Sequence, residues 1–303
     1  MLFWYLLIMR VRNILFLIVY AIVLTLISLG MGKVSYSWFP PQASAESLLI
    51  DELFAFLVTL GTFIFLGITG VIIYSVIFQR ADKYDYSDGP HIEGNVPLEI
   101  VWTSIPILLV FWLAGYSYQV YDQMAIRGSI ELNSLPMISG QTAIVIPEPS
   151  QAIEVVAQQW SWVFHYPERD VTSTELHLPA NQRVRLKLKS KDVLHGLYIP
   201  AFRVKQDIVP NKTTDFEFTP IKEGKYRLRD SQFSGTYFAT MQTDVVVESP
   251  EAYENWLFEA ARREPSPANN VAASEYIQET EKKFQSGWPT IIPAEPPVVN
   301  YPT

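Results

Sequence analysis

The sequence predicts a membrane-anchored protein in which N-terminal transmembrane helices precede an all-β Greek-key sandwich. Two observations on the pattern support this: the long apolar runs lie before residue 125, and beyond it apolar and polar residues alternate between frequent turn signals. The composition agrees, since 49% of the 303 residues are apolar and 14% are aromatic. Such values suit a membrane anchor joined to one water-facing domain.

The first predicted span covers residues 13–31 and follows Arg10 and Arg12. Signal sequences and anchors with a cytoplasmic N-terminus both carry such charges. An Ala43-Ser44-Ala45 cleavage pattern lies well beyond the span, which favours retention of the segment but leaves cleavage open. We assign residues 1–46 to this signal or anchor helix and its linker.

Two further spans predict a transmembrane helical hairpin within residues 47–125. Residues 53–78 and 100–118 are apolar, and a helix needs about 20 such residues to cross a bilayer. The loop between them carries Arg80 and Lys83, so the positive-inside tendency places it in the cytoplasm. The β domain is then expected on the extracytoplasmic side, in a periplasm or a thylakoid lumen.

Short strands at roughly ten-residue spacing predict the sandwich within residues 151–249. The predicted strands are residues 153–164, 175–178, 184–188, 216–218, 226–229 and 243–247. Residues 126–150 are assigned as a linker. Residues 250–303 are predicted to form a short helix over 251–263 and a Pro-rich tail that is mostly disordered, interrupted by an acidic helical patch around residues 274–284.

Composition also excludes several classes of function. The chain has no cysteine, which excludes disulfides, thiolate nucleophiles and Cys-ligated metal sites. The net charge is −8 and no basic stripe is present, so nucleic acid is not an expected partner. No Ser-His-Asp signature or phosphate-binding loop occurs, so we expect no active site of its own in this chain.

Four segments stand out by residue type and order. They are Asn95-Val-Pro-Leu-Glu99-Ile-Val-Trp-Thr-Ser-Ile-Pro106, Gln159-Trp160-Ser161-Trp162, Val193-Leu-His195-Gly-Leu-Tyr-Ile-Pro200 and Asp230-Ser-Gln-Phe-Ser234-Gly-Thr-Tyr-Phe238-Ala-Thr-Met241. Together, over about residues 45–263, they resemble subunit II of the haem-copper respiratory oxidases. The resemblance implies a cupredoxin-like sandwich for the β domain.

Each segment also has a plainer interpretation. Glu99, at the mouth of a span, can be an interfacial residue that faces lipid headgroups. Trp160 and Trp162, two residues apart, can pack on one sheet face. His195 can be a hydrogen-bonded core imidazole and Met241 core filler. The residue types alone leave these alternatives open.

The resemblance assigns five copper-ligand positions to this chain. Where copper-bearing members have two cysteines, a histidine, a methionine and an upstream histidine, this chain has Asp230, Ser234, Phe238, Met241 and His195. A carboxylate and a hydroxyl are hard donors and cannot bridge two copper ions as thiolates do. We therefore predict no metal or other cofactor on this chain. A single copper on His195 and Met241, helped by Asp230, is the alternative.

Other roles follow from the same resemblance. Gln232 replaces a glutamate that links the copper to a magnesium site shared with subunit I, which puts magnesium in doubt. Trp160, with Trp162, matches the aromatic patch that receives electrons from cytochrome c. Glu99 matches the glutamate that opens the K proton channel of subunit I.

The predicted function is that of an accessory subunit of a terminal oxidase that reduces oxygen to water. The subunit is expected to be copper-free, to be supplied by membrane quinol, and to serve as a scaffold and proton entrance, as the resemblance to cyanobacterial alternative oxidases implies. The expected partners are subunit I, which holds haem and copper, subunit III, membrane lipid and quinol. The alternatives are a cytochrome c oxidase subunit with one copper, and a membrane-tethered binding module of cupredoxin fold.

Overall fold

The computed structural model describes residues 2–80, 84, 94–124, 152–281 and 291–302, with side chains from residue 14 onward. The chain divides into two compact units. One consists of Met1–Phe39 and Asp51–Val120, and the other of Pro40–Ile50 and Tyr121–Thr303. The predicted linker, residues 126–150, and most of the loop after the second span lie outside the described residues.

Three long helices supply the first unit. They are α1 (Leu2–Ser35), α2 (Ala45–Phe78) and α3 (Val96–Met124). Among the described residues, each contains a stretch long and apolar enough to cross a membrane. The three predicted spans are therefore confirmed. Each helix is longer than its predicted apolar run, and α2 is extended only at its N-terminal end.

Contacts between the helices use tyrosine and aromatic side chains. The Tyr20 hydroxyl of α1 donates hydrogen bonds to the α2 carbonyl oxygens of Leu66 at 3.1 Å and Gly67 at 3.3 Å. The Phe56 ring of α2 meets the Trp112 ring of α3 edge-on at 5.2 Å. Interhelical hydrogen bonds and close packing are the interactions that hold helices together in lipid.

The second unit is mainly β structure. Its strands are β1 (Ala152–Gln158), β2 (Ser161–Tyr166), β3 (Val171–Ser173), β4 (Leu176–Pro179), β5 (Val184–Ser190), β6 (His195–Ile199), β7 (Val204–Ile208), β8 (Thr214–Phe218), β9 (Gly224–Asp230), β10 (Gln242–Glu248), β11 (Ser266–Pro267) and β12 (Val298–Val299). Its helices are α4 (Pro250–Ala261) and α5 (Val271–Thr280), with 3-10 turns at Pro200–Phe202 and Phe238–Thr240.

Two five-stranded sheets enclose one hydrophobic core. The first has the order β3-β2-β1-β5-β8 and the second the order β4-β10-β9-β6-β7. Along β1 every second residue is buried, because side chains alternate between the faces of a strand. Phe164, Leu186 and Phe216 of the first sheet and Leu197 and Leu228 of the second are fully buried in the same cluster. The predicted cupredoxin-like sandwich is confirmed.

A short segment before α2 is part of this second unit. The Ala43 N–H donates to the Ala201 carbonyl at 3.1 Å, and the Ile221 N–H donates to the Ala43 carbonyl at 2.9 Å. The Ser44 hydroxyl donates to the Phe202 carbonyl at 2.9 Å. Ala43 and Ser44 are fully buried as a result. The Ala-Ser-Ala pattern seen in the sequence thus lies against the β sandwich.

The strand predicted over residues 153–164 is two strands instead. A turn at Gln159 and Trp160 separates β1 from β2, which pair antiparallel with Gln158 opposite Ser161. The turn is held by distant groups, since the Gln159 N–H donates to the Asp192 carboxylate at 2.6 Å. The sequence pattern missed it because that partner is 33 residues away. It also missed β3, β6 and β7.

The tail differs from the predicted disorder in its described part. Helix α5 overlaps the helical patch predicted around residues 274–284, but the paired strands β11 and β12 were not predicted. Next to edge strand β3, the Tyr301 N–H donates to the Thr172 carbonyl at 3.0 Å and the Thr174 N–H donates to the Tyr301 carbonyl at 3.3 Å. Edge strands offer unpaired backbone groups. Proline content could not show that such an edge is available, and this is why the prediction differs.

Candidate functional site

The loop of residues 230–241, here the 230–241 loop, connects β9 to β10 in the second sheet. Asp230 ends β9, Met241 directly precedes β10, and the Asp230 N–H donates to the Met241 carbonyl at 3.0 Å. His195 begins β6, which pairs with the end of β9. The sheet therefore brings His195, Asp230 and Met241 together.

The His195 ring is held between two carboxylates. Its Nδ1 lies 2.8 Å from Asp230 Oδ2 and its Nε2 lies 2.8 Å from Asp192 Oδ1. The side chains of His195 and Asp230 are fully buried, whereas 28% of the Asp192 side chain is exposed. A neutral imidazole has one N–H and one bare nitrogen, while an imidazolium has two N–H donors. The two acceptors therefore favour the imidazolium.

The electrostatics agree with this geometry. Burial of the imidazole opposes its protonation, but hydrogen bonds to Asp192 and Asp230 outweigh burial and raise the pKa of His195 to about 8. Partial burial acts to raise the pKa of Asp192, but the hydrogen bond from His195 and those from two backbone N–H groups lower it below its ordinary value. The ring and this carboxylate thus stabilise each other in their charged forms.

The Asp230 carboxylate has a hydrogen bond for each of its acceptor positions. Its Oδ1 accepts from the backbone N–H of Gly196 at 2.7 Å and of Gln232 at 3.0 Å. Its Oδ2 accepts from the Ser234 hydroxyl at 2.8 Å and from the His195 ring. An ionised carboxylate offers about four acceptor sites. Asp192, His195, Asp230 and Ser234 form one network, called here the His195 cluster.

The other matched positions have different partners. The Gln232 amide donates to Asp207 Oδ1 at 2.9 Å, and the Phe238 ring meets the exposed Phe233 ring at 5.1 Å. Met241 is buried, and its carbonyl accepts from the Trp162 indole N–H at 3.2 Å. Of the five predicted ligand positions, the structure joins His195, Asp230 and Ser234 by side-chain hydrogen bonds, and Met241 through its backbone.

Both tryptophans of the predicted electron-accepting patch are buried. Trp160 is 3% exposed and lies in the turn before β2, with its ring edge-on to Tyr237 at 5.2 Å. Trp162 is 2% exposed and lies in β2, with its ring edge-on to His195 at 6.4 Å. The two rings therefore line the His195 cluster and the 230–241 loop from the first sheet.

Two glycines permit this close approach. Any side chain at Gly196 would collide with the Ser231 hydroxyl of the 230–241 loop. Gly235 has φ +121°, and a Cβ there would lie 2.7 Å from Trp160 Cζ2. Only glycine adopts such a conformation without strain while leaving room for a ring. The positions of these glycines thus fix how closely β6 and Trp160 can approach the loop.

Asp192 is the functional residue that the sequence analysis missed. It lies in the turn between β5 and β6, where its Oδ1 accepts from the Val193 N–H at 2.7 Å. An aspartate that binds nearby backbone groups is common in turns, so the sequence favoured no further role. Its position three residues before His195 was the available signal, but only the fold shows that it reaches the ring.

Glu99 lies far along the chain from this cluster, in the first turn of α3, and it is exposed. The Leu98 N–H donates to Asn95 Oδ1 at 3.2 Å, and the Asn95 N–H donates to Glu99 Oε1 at 3.3 Å. This reciprocal arrangement resembles a capping box, and a carboxylate there also suits the positive end of the helix dipole. Glu99 therefore has a structural role that any functional test must control.

The donors of the His195 cluster do not fit a copper centre. Both ring nitrogens face carboxylate oxygens, the Asp230 acceptor positions are used by hydrogen bonds, and Phe238 offers no donor atom. Binuclear copper needs bridging thiolates, and this chain has no cysteine. Within the described ranges, no three His, Asp or Glu side chains are placed to hold a metal ion.

Comparison with protein families gives two matches. The profile described as cytochrome C oxidase subunit II, transmembrane domain, matches residues 30–120, and that of the periplasmic domain of the same subunit matches residues 170–249. These matches place the helical hairpin in the membrane and the β sandwich on the extracytoplasmic side.

Individual proteins show the same similarity. The chain is 32% identical over 279 residues to cytochrome c oxidase subunit 2 of Synechocystis sp., covering 83% of each chain. It is 26% identical over 230 residues to quinol oxidase subunit 2 of Bacillus subtilis, covering 74% of this chain and 65% of that one. A solved periplasmic domain of cytochrome oxidase subunit II from Bradyrhizobium japonicum is 23% identical, covering 38% of this chain and 95% of that one, with a TM-score of 0.36.

Proposed function

The chain belongs to the cytochrome c oxidase subunit II family, and we propose that it is the copper-free subunit II of a terminal oxidase that oxidises membrane quinol. Members of this family are accessory components of haem-copper terminal oxidases and work in a complex with subunit I. The finer assignment concerns the electron donor, the missing copper and the route of protons.

One observation carries the proposal: the hydrogen bonds of the His195 cluster satisfy the groups at three former ligand positions. His195, Asp230 and Ser234 bind one another, and Asp230 also accepts two backbone N–H groups. Copper would have to break these bonds in a buried site, where an unpaired polar group costs about 1–3 kcal/mol. The cluster is thus complete without metal.

Loss of this copper removes the electron acceptor on the extracytoplasmic domain, so electrons must enter the complex elsewhere. Quinol dissolved in the membrane is a donor that needs no water-facing acceptor. A relative named quinol oxidase subunit 2 gives this assignment some support. Relatives named cytochrome c oxidase subunit 2 are more similar in sequence, so the donor must be measured.

The function that we propose for the β domain is structural: it covers the extracytoplasmic face of subunit I. The helices would pack against subunit I, with subunit III and membrane lipid as further neighbours. Large apolar side chains on α3, among them Ile105, Leu108 and Phe111, are exposed in the isolated chain and suit such neighbours.

The donor and the metal can be tested on the purified oxidase complex. We expect copper in amounts explained by subunit I alone, and turnover that is many times faster with a membrane quinol than with reduced cytochrome c. Additional copper that is lost in a His195→Ala variant would establish the mononuclear copper alternative. A chain that purifies from detergent without a haem protein would support a separate binding module instead.

We also propose that Glu99 is the proton entrance of the complex. Its exposed carboxylate, at the N-terminal end of a membrane helix, can exchange protons with water. The capping bond from Asn95 makes a simple truncation ambiguous. Glu99→Gln keeps an acceptor oxygen for that bond but cannot carry a proton, whereas Glu99→Ala loses both functions.

Oxygen consumption by the two variants separates the roles. If Glu99 delivers protons, Glu99→Gln and Glu99→Ala should both slow turnover roughly tenfold or more, with haem content unchanged. Glu99→Asp should recover part of the rate. Normal turnover of Glu99→Gln, together with poor assembly of Glu99→Ala, would mean that the residue only caps the helix.

A further inference from the structure

We propose that the 230–241 loop and the start of β6 are joined by a proton on His195, which does the structural work that a metal ion would do at a ligand site. This inference rests on the copper-free state proposed above and adds what occupies the site. It concerns the hydrogen-bonding of one ring, not electron transfer.

The His195 ring has a carboxylate on each side. Asp230 comes from the end of β9 and Asp192 from the turn before β6, so one imidazolium connects two separate chain segments with bonds of 2.8 Å each. A metal ion in a structural site does the same by binding donors from different segments. A neutral ring could bind only one carboxylate as a donor.

Both carboxylates also accept hydrogen bonds from groups other than the ring. Asp230 accepts two backbone N–H groups and one hydroxyl in addition to the ring. Asp192 accepts the backbone N–H groups of Gln159 at 2.6 Å and Val193 at 2.7 Å. Each of these bonds uses a carboxylate lone pair, so the oxygens that face the ring act as acceptors and the ring supplies the N–H donors.

The charge around the His195 ring is set by its immediate neighbours. The charged groups that face His195 are Asp192 and Asp230, and the ring's other neighbours are the neutral Trp162 ring at 6.4 Å and, through Asp230, the Ser234 hydroxyl. No cation is among these neighbours in the described part of the chain. Two anions and one cation leave a net charge of −1 in a largely buried site, which favours retention of the ring proton.

The direct test is the protonation of the ring in the full chain, purified in detergent with isotope-labelled histidine and observed by NMR. The chain has four histidines, so removal of one signal in His195→Gln identifies the ring. If that variant fails to fold, variants of the other three histidines identify the signal by elimination. We expect both His195 nitrogens to carry a proton near neutral pH. One bare nitrogen there would overturn the inference.

A matched pair of variants shows whether the aspartates cause this state. Asp230→Asn should lower the pH at which the ring loses its second proton by about one unit or more, because it removes a charge in direct contact. Asp207→Asn is the control, since Asp207 binds Gln232 of the same loop but not the ring. Equal shifts in both variants would indicate a general loosening of the loop and would contradict the inference.

Copper content separates this inference from the proposed function. Copper present in the wild-type complex but absent from His195→Gln overturns both. No such copper with a neutral His195 ring overturns only the proton inference. No such copper with a doubly protonated ring supports both.

Discussion

Two buried histidines of the β sandwich differ in how many carboxylates they bind closely. His195 has an aspartate oxygen at 2.8 Å from each ring nitrogen. His177, in β4, has Glu248 Oε2 at 3.0 Å from Nδ1, but Glu175 Oε2 is 3.5 Å from Nε2. The sequence places a histidine near acidic residues in both cases. Only in the folded chain does one of them, His195, have a carboxylate oxygen within 2.8 Å of each ring nitrogen.

The two rings are also stabilised by different interactions. The His177 ring stacks on the Trp256 ring of α4 with centroids 3.8 Å apart and planes at 7°. The nearby His177 ring and, after it, Lys225 lower the pKa of Glu175 below its ordinary value, although partial burial acts to raise it. His177 therefore packs a helix onto the sheet, whereas His195 joins two loops by charge. A buried histidine near acids thus has no fixed role.

The largest expected effect comes from removing Asp230, the buried carboxylate beside His195. Asp230→Ala leaves the buried ring and two backbone N–H groups without their acceptor, so we expect a loss of about 3–5 kcal/mol in the free energy of unfolding. Urea unfolding of the full chain in detergent, followed by near-UV circular dichroism, measures it. Asp207→Ala, in β7, removes a 45% exposed carboxylate that binds Gln232 of the 230–241 loop but not the ring, and should cost far less. Equal losses in the two variants would mean that the contact of Asp230 with the His195 ring adds no particular stability.

A smaller loss is expected when the stacking partner of His177 is removed. Trp256→Ala should cost about 2–3 kcal/mol, less than a fully buried tryptophan because the ring is only partly buried. Trp256→Phe should restore much of this stability by keeping an aromatic face. The same unfolding measurement applies. A change in the NMR signal of the His195 ring in either variant would show that the two histidines are coupled.

The next expected effect is a pH dependence of the free energy of unfolding that comes from His195. The pKa of His195 rises from 6.5 to about 8 on folding. Its contribution is therefore fully present below about pH 6.5 and is lost as pH rises through about 8. The shift corresponds to roughly 2 kcal/mol in total. Unfolding midpoints across this range should fall for the wild type and stay nearly level for His195→Gln. Equal slopes would assign the pH dependence to other groups.

The smallest expected effect comes from Asp192, the partly exposed carboxylate beside the His195 ring. Asp192→Asn keeps an acceptor for one of the backbone N–H groups but removes a charge from a side chain that is 28% exposed. Water screens such a group, so we expect a loss of about 1 kcal/mol or less. A loss as large as that of Asp230→Ala would mean that both sides of the ring are equally important. Thermal unfolding of the two variants side by side makes this comparison.

Local patterns predicted much of the fold and part of the site. The three spans follow from apolar length, and strands such as β5 and β10 follow from the period-two alternation of buried residues. The turn at Gln159 and the tail beside β3 were missed because they depend on partners far along the chain, which no local pattern contains. The contact of Asp192 with His195 spans only three residues, but residue types do not show that the two side chains face each other.

The sequence by itself determined the membrane anchor, the β sandwich and the absence of thiolate donors at the 230–241 loop, because length, periodicity and residue type are local properties. Tertiary structure alone decided what occupies the place of those donors. It brings Asp192 from one turn and Asp230 from another strand to opposite sides of His195. Hydrogen bonds act over about 3 Å, so the charge of that ring depends on positions that only the folded chain defines.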